Sequence, residues 1–348
     1  MLKFPAIKKS LLKLEFLLDI ALITSVFCLI FSLAHRAIFD LDIWLHLKTG
    51  QFIAQNKIVP FADLFSFTMP QKPWVDHSWL FQLASYLVHS AWGPEGLISL
   101  ECLVIILSFA VLFLIGFSLV RSYLEVAIFI MLAAYASISR FNIRPDIFSL
   151  FFFALYLYFL RLHIDKRRIF CLVPIQVLWV NLHGYFFLGP LLVFFFILAE
   201  FLRRRLKFLP RGWQEGFALS DRTNRRLAQL FIFVVLACFL NPRLFQGALY
   251  PFYILKDVLM GRVQVFMRYI QELKPTLSLN LGSSYYTIMY FCFALIAINF
   301  KRLKIIEIIL VVFFFLFSLS LRNIGFFVFI CYMVTVSYLG EALKKVAE

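Results

Sequence analysis

LISLECLVIILSFAVLFLIGFSLV, residues 97–120, contains one charged side chain, Glu101, in a run that is otherwise apolar or small. A helix crossing the hydrocarbon of a bilayer needs about 20 such residues, roughly 17–25, so the stretch predicts a membrane span. Working outward from it, the same pattern recurs near 16–34, 126–139, 147–162, 169–182, 186–202, 227–240, 285–300, 305–321 and 324–339. Several of these cores are short, and flanking aromatic residues extend them. The whole chain agrees: its 348 residues are 63% hydrophobic with a mean hydropathy of +0.89, where a soluble globule is nearer half apolar. The expected fold class is all-α, a polytopic transmembrane helix bundle of about ten spans. It forms a single transmembrane domain over 1–348 with no soluble domain or internal repeat. The first span is too long for a cleavable signal and lacks a small-residue cleavage site.

A net charge of +15 raises the question of nucleic acid, and its distribution answers it. Under the ten-span topology most Lys and Arg fall on one side, in short segments such as 161–168, 301–304 and the basic loop 203–226. That is the bias that orients membrane proteins, so no nucleic-acid partner is expected. Both termini are then cytoplasmic, and the basic loop lies against anionic lipid. The expected location is a bacterial inner membrane. The six cysteines all fall within predicted spans without Cys-x-x-Cys spacing. They read as small buried apolar residues, with no disulfides.

The side chains capable of chemistry fall on the other side. Asp40, Asp42, His46, Asp63, Asp76, His77, Arg140, Arg144, Asp146, Asn181, His183, Asn241, Arg243, Glu272, Arg322 and Asn323 come from separate segments and map to the non-cytoplasmic face. The first non-cytoplasmic loop, 36–96, is too polar to span and too patterned for disorder. In DLDIWLHLKTGQFIAQ, residues 40–55, Ile43, Leu47, Phe52 and Ile53 recur at helical spacing. This predicts an amphipathic helix lying in the interface. SWLFQLASYLVHSAW, residues 78–92, predicts a second, with a tryptophan near each end as an anchor. The Pro- and aromatic-rich stretch between them reads as an ordered loop. A second long loop, 241–284, contains NPRLFQ and YIQELKP and predicts an interfacial helix around 258–272.

One span, an acidic pair, an amphipathic helix, a Pro-containing loop, an interfacial helix ending in Trp-Gly and then the second span: this order resembles the start of the GT-C superfamily of integral-membrane glycosyltransferases. Protein O-mannosyltransferases and lipid A aminoarabinose transferases are of this type. The segments FDLDIWLHLKTG, VPFADLFSFT and PWVDHSWL, with WVNLHG at 179–184 and Arg-Pro-Asp at 144–146, also resemble a set of uncharacterised bacterial membrane proteins of that superfamily. The likeness covers roughly the first 190 residues; beyond them only the alternation of spans and loops matches. It implies a GT-C-like bundle that transfers a sugar from a polyprenyl-phosphate-linked donor to a glycan, lipid or protein acceptor at the outer face. It also implies that a carboxylate of the first loop, Asp40 or Asp42, is catalytic. The late outside loop, with Arg243, Arg262, Arg268 and Glu272, would help bind donor or acceptor.

Attack on a sugar C1 displaces phosphate through an oxocarbenium-like state. It needs a base for the acceptor's proton and positive charge, or a metal, on the leaving group. Asp42 and His46 are four apart and share a helix face, which favours Asp42 as base with Asp40 supporting; a divalent cation on Asp40 and Asp42 is the alternative, and no other cofactor is implied. Either Asp may instead only cap the helix. Asp76 and His77 precede the second interfacial helix, where Asp76 is a cap or a catalytic group. Asp63 reads as fixing a turn near Pro60. Outside arginines run against the charge bias, so Arg140, Arg144, Arg243 and Arg322 are candidates for the donor phosphate, against snorkelling to headgroups. Asn181, His183, Asp146 and Glu272 are supporting residues. Rival functions are a transporter or flippase, a polymerase or ligase of lipid-linked glycans, and an assembly scaffold. A transporter would carry charge near the midplane.

Overall fold

A computed structural model of the chain describes residues 4–68, 71–206, 210, 212–213, 218–261, 270, 273–276 and 283–347. The described residues are helical, with no named strand, and the α-helices follow in order: α1 (Phe4–Ala34), α2 (Asp42–Asn56), α3 (Trp79–Val120), α4 (Tyr123–Ser137), α5 (Asp146–Leu162), α6 (Leu172–Leu182), α7 (Leu188–Arg205), α8 (Asp221–Ala237), α9 (Phe245–Leu259), α10 (Ser283–Ile298), α11 (Ile305–Phe317) and α12 (Ile324–Ala347). Each apolar segment of the sequence contains one of these helices. Among the described residues five helical segments are long and apolar enough to cross a membrane: Leu14–Ala34, Trp79–Val120, Tyr123–Arg140, Gly184–Arg205 and Leu321–Gly340. Ser284–Ile298 and Ile305–Phe317 are apolar but shorter.

The core is built around α12. The residues from Phe326 to Val336 are all buried, among them Phe327, Phe329 and Tyr332. α3, α4, α5, α10 and α11 pack around them. Tyr332 donates its hydroxyl to the carbonyl of Leu112 at 3.0 Å, which satisfies a polar group where no water can reach it. A helix apolar on every side belongs inside a bundle, and α12 is the helix buried from all directions. α1 lies at the periphery against α3 and α4 and exposes Phe16, Leu17, Leu18 and Phe31.

The first loop folds much as its pattern predicts. α2 buries Ile43, Leu47 and Ile53 on one face and exposes Trp44 and Leu45 on another. It begins at Asp42, two residues later than the sequence pattern; Asp40 stands outside the helix and accepts the Asp42 N–H at 3.0 Å. α2 packs on the first turns of α3, and the close approach requires Gly50, where a Cβ would come 2.0 Å from the Gln82 carbonyl oxygen. The predicted interfacial helix and the second span form one element, α3, bent at Gly93 (φ 64°, ψ −161°) and Pro94. Proline removes a helical N–H and only glycine takes that backbone conformation freely, so the bend falls between the two.

One expectation needs correction, and two fall largely outside the described residues. In the second long loop a helix covers Phe245–Leu259 and ends where the chain turns at Met260 and Gly261 (φ 69°); most of the helix expected around 258–272 lies outside the described residues. Arg262, Arg268 and Glu272 lie outside the described residues. The six cysteines are free, but Cys28 and Cys171 are exposed rather than buried, since each lies on a helical face turned away from the bundle.

Candidate functional site

The polar side chains sort to two ends of the bundle. At one end, hydrogen bonds and ion pairs link Asp40 to Arg144, Trp79 to Asn181, Ser149 to His183 and Tyr185 to Asn323. At the other they link Arg161 to Glu307 and Ser337, Glu307 to Tyr338, and Arg204 to Asp221. The sequence candidates within the described residues belong to the first end.

Two groups form there. The first centres on Arg144, in the turn before α5. Its guanidinium binds both oxygens of Asp40, with Nη2 2.8 Å from Oδ1, and reaches Asp42 Oδ2 at 3.1 Å. The Asp40 side chain is 7% exposed and that of Asp42 67%, so one carboxylate is sequestered in the ion pair and its neighbour faces solvent. Burial pushes the Asp40 carboxyl upward, but hydrogen bonds from Arg144 and the Asp42 N–H, with the Arg144 charge, outweigh it and hold the pKa below the ordinary value. His46, one turn along α2, packs edge-on against Phe81 at 5.1 Å. Burial brings its pKa down to about 4 against the opposing pull of Asp42 and Asp40, so the ring is neutral near pH 7. Behind this group lies a buried Arg140–Asp146 ion pair.

The second group centres on His77 and His183. Their rings are 6.2 Å apart, and His77 stacks on Tyr250 at 4.4 Å. A Cβ at Gly184 would come 3.2 Å from the His77 ring, so glycine lets the turn after α6 approach this histidine. The Trp179 indole donates to Ser149 Oγ at 2.8 Å, and Ser149 lies 2.7 Å from His183 Nδ1. Ser149 already accepts from Trp179 and can donate to Nδ1, which leaves a neutral His183 presenting an Nε2–H. Arg322 lies over the Tyr185 ring at 5.6 Å. Burial, and then the Arg322 charge, lower the His77 pKa to about 4 and hold that of His183 well below its usual value. Asp76 stands beside this group. Its Oδ1 accepts from the Ser78 N–H at 3.2 Å and from Gln82 Nε2 at 3.1 Å, while the buried Oδ2 has no hydrogen-bond partner among the described residues. Burial raises its pKa to about 7 against those two bonds. Asp76 therefore fixes the turn that leads into α3 and is also a carboxyl that can hold a proton near neutrality.

Other candidates serve the scaffold. Asn181 accepts from the Trp79 indole at 2.7 Å and donates to the carbonyls of Val177 and Leu240, tying α3, α6 and the end of α8 together. Arg243 stacks on Phe61 at 4.0 Å and donates to the carbonyls of Phe61 and Trp74, which clamps the first loop. Asp63 fixes a turn by accepting the N–H groups of Phe65 and Ser66, each at 2.9 Å. Asn241 holds the turn before α9, accepting from the Arg243 N–H. Tyr185, Tyr250, Ser149 and Gln82 escaped the sequence reading. Tyr185 follows WVNLHG and Ser149 lies one turn past Asp146, so proximity to named motifs could have found both. Nothing in the sequence marks Tyr250.

The donor set does not suit a resident cation. Among the described residues no three His, Cys, Asp or Glu side chains gather as metal ligands. Asp40, one of the two expected ligands, already holds Arg144, so a guanidinium occupies the position a metal would take. No protein-family model matches the chain, and no match is found among curated proteins.

Proposed function

We propose that the protein is a membrane-embedded glycosyltransferase of GT-C type that moves a sugar from a polyprenyl-phosphate carrier to a hydroxyl acceptor at the outer face of a bacterial inner membrane. The observation that carries this reading is the asymmetric carboxylate pair on Arg144, one oxygen set sequestered and the other open to solvent. General-base catalysis needs an ionised carboxylate within hydrogen-bond reach of the nucleophile. Asp42 is the open member, and Arg144 keeps positive charge beside it. Asp40 orients Arg144 and does not itself meet substrate.

In the reaction the acceptor oxygen attacks C1 on the face opposite the carrier. Its proton passes to the Asp42 carboxylate, and the C1–O bond to phosphate breaks with its electron pair leaving on the phosphate. The anomeric configuration inverts. Arg322, flanked by His77 and His183, receives the leaving phosphate. Both rings are neutral near pH 7, so they act as hydrogen-bonding partners and not as added charge. The exposed apolar side chains of Phe39 and Leu41, just before α2, and of Trp44 and Leu45 on it suit a helix lying in the lipid interface, where a lipid-borne donor arrives. Transport is the weaker reading, because the candidate carboxylates and imidazoles, Asp40, Asp42, Asp76, His46, His77 and His183, lie at one end and not midway along the helices.

The test is reconstitution of the purified protein with radiolabelled polyprenyl-phosphate hexoses and pentoses and envelope membranes as acceptor. Label should move to a product no longer extractable with the carrier lipid. Movement of intact donor across the bilayer without sugar release would instead identify a transporter.

A further inference from the structure

At the end of the bundle opposite the carboxylates, a cavity of about 270 Å³ is lined by Arg167, Phe170, Arg222, Arg225, Arg226 and Gln229. Four arginines around one hollow repel each other unless an anion joins them. Arg222, Arg225, Arg226 and Gln229 are spaced by three and four residues, so the first turns of α8 present them on one face. Arg167 comes from the segment before α6. Arg226 is held in position by the backbone carbonyl of Asp165. Asp221, the acid nearest along α8, is engaged by Arg204 at 2.9 Å. Among the described residues Arg167, Arg222 and Arg225 have no carboxylate at ion-pair distance.

The same helix face continues into apolar surface. Ile232, Phe233 and Leu236 follow at helical spacing and are exposed, as is Leu240 just past the end of the helix. Phe233 meets Phe170, at the floor of the cavity, edge-on at 6.1 Å. Charge is thus confined to the first two turns of α8, and greasy exposed side chains run away from it along the helix. A soluble anion would use only the arginines. A phospholipid would use both, its phosphate against the guanidinium forks and its acyl chains along the stripe.

We infer that this cavity is a binding site for one anionic phospholipid, with the headgroup phosphate held by Arg167, Arg222 and Arg225 and the chains lying on the exposed face of α8. Basic pockets between helices are suited to such headgroups, and the site is separate from the proposed sugar-transfer chemistry.

Native mass spectrometry of the full chain, released from micelles containing phosphatidylglycerol and excess phosphatidylcholine, tests it. The wild type should retain one phosphatidylglycerol in preference to phosphatidylcholine. R222A/R225A should lose that retention by about tenfold or more, while K301A/R302A, an equal charge loss at the same end outside the cavity, should keep it. Arg225→Gln alone should weaken retention by a smaller factor, which secures the result if the double variant does not purify as a monodisperse species. Equal loss in both double variants would reduce the site to general surface charge and overturn the proposal. Displacement of the lipid by millimolar inorganic pyrophosphate would overturn it in favour of a soluble anion, and absence of any preference for phosphatidylglycerol would overturn it outright.

Discussion

The two ends of the bundle use the same residue types in opposite ways. At the carboxylate end Arg144 reaches back across 104 residues to an Asp40 withdrawn from solvent, and the Arg140–Asp146 pair, six residues apart, is buried. At the arginine end Glu200 is bound by Arg203 and Arg204, three and four residues away on the same helix, with Arg204 half exposed, beside one buried long-range pair, Arg161–Glu307 at 3.5 Å. Local exposed pairs contribute little to stability and are what a charge-oriented membrane protein carries in its short loops. A buried pair between distant elements carries a desolvation penalty that only good geometry offsets. Each end thus holds a buried or half-buried long-range pair; what sets the carboxylate end apart is that its pairs stand near neutral histidines and a carboxyl that can hold a proton.

The largest contrast should come from removing one guanidinium at each end. Arg144→Ala leaves Asp40 sequestered without its partner and should cost about 3–5 kcal/mol, as for other broken buried pairs, read as a marked drop in thermal unfolding temperature in detergent. Arg204→Ala leaves Arg203 on Glu200 and should unfold with the wild type. Similar shifts for the two would erase the distinction between the ends.

Next in size is donor recognition. Arg322→Ala removes the charge proposed to receive the phosphate, so affinity for a polyprenyl-phosphate analogue should fall roughly ten- to a hundredfold. Arg302→Ala at the opposite end should leave it unchanged. Equal affinity in wild type and Arg322→Ala would remove Arg322 from the donor site.

A smaller effect sharpens the account of Asp76. Its pKa is about 7 in the folded protein against 3.8 for a free carboxyl. Between those values the folded state keeps a proton that the unfolded chain has lost, so this group's contribution to stability falls as pH rises through the window. His46 and His77, lowered from 6.5 to about 4, act in the other direction. Their contribution is present above the unfolded value and is lost as pH falls toward 4. Comparing Asp76→Asn with wild type cancels the histidines. The variant should gain on the wild type as pH rises from about 4 to about 7, by on the order of several degrees in Tm. A difference that stays constant with pH would show that Asp76 does not hold the proton.

Local features of this arrangement were legible in the residues. The amphipathic spacing of Ile43, Leu47 and Ile53 marked α2, Trp92-Gly93 marked the boundary where α3 bends, and Asp63 read as a turn. Each depends on neighbours within a turn or two. The pairing of Asp40 with Arg144, the stacking of His77 on Tyr250 and the assembly of Ser149 with Trp179 and His183 were not legible. They depend on which helix faces meet, and helices apolar on every side give no periodic signal for that. Arg243 reads like Arg144 and Arg322 in sequence, yet it clamps the carbonyls of Phe61 and Trp74, a role that only the folded loop reveals.

Turnover by Asp42→Asn, measured beside Asp40→Asn and wild type in the reconstituted sugar-transfer assay, tests the central claim most directly. Asparagine preserves size and hydrogen bonding but cannot accept the acceptor's proton. Asp42→Asn should lose about 10²–10⁴ in turnover while keeping the wild-type Tm and analogue affinity, and Asp40→Asn should lose stability along with activity because it breaks the Arg144 pair. Full turnover in Asp42→Asn, with wild-type Tm and affinity, would contradict the assignment of Asp42 as the base; full turnover in both variants would contradict catalysis by this carboxylate pair altogether.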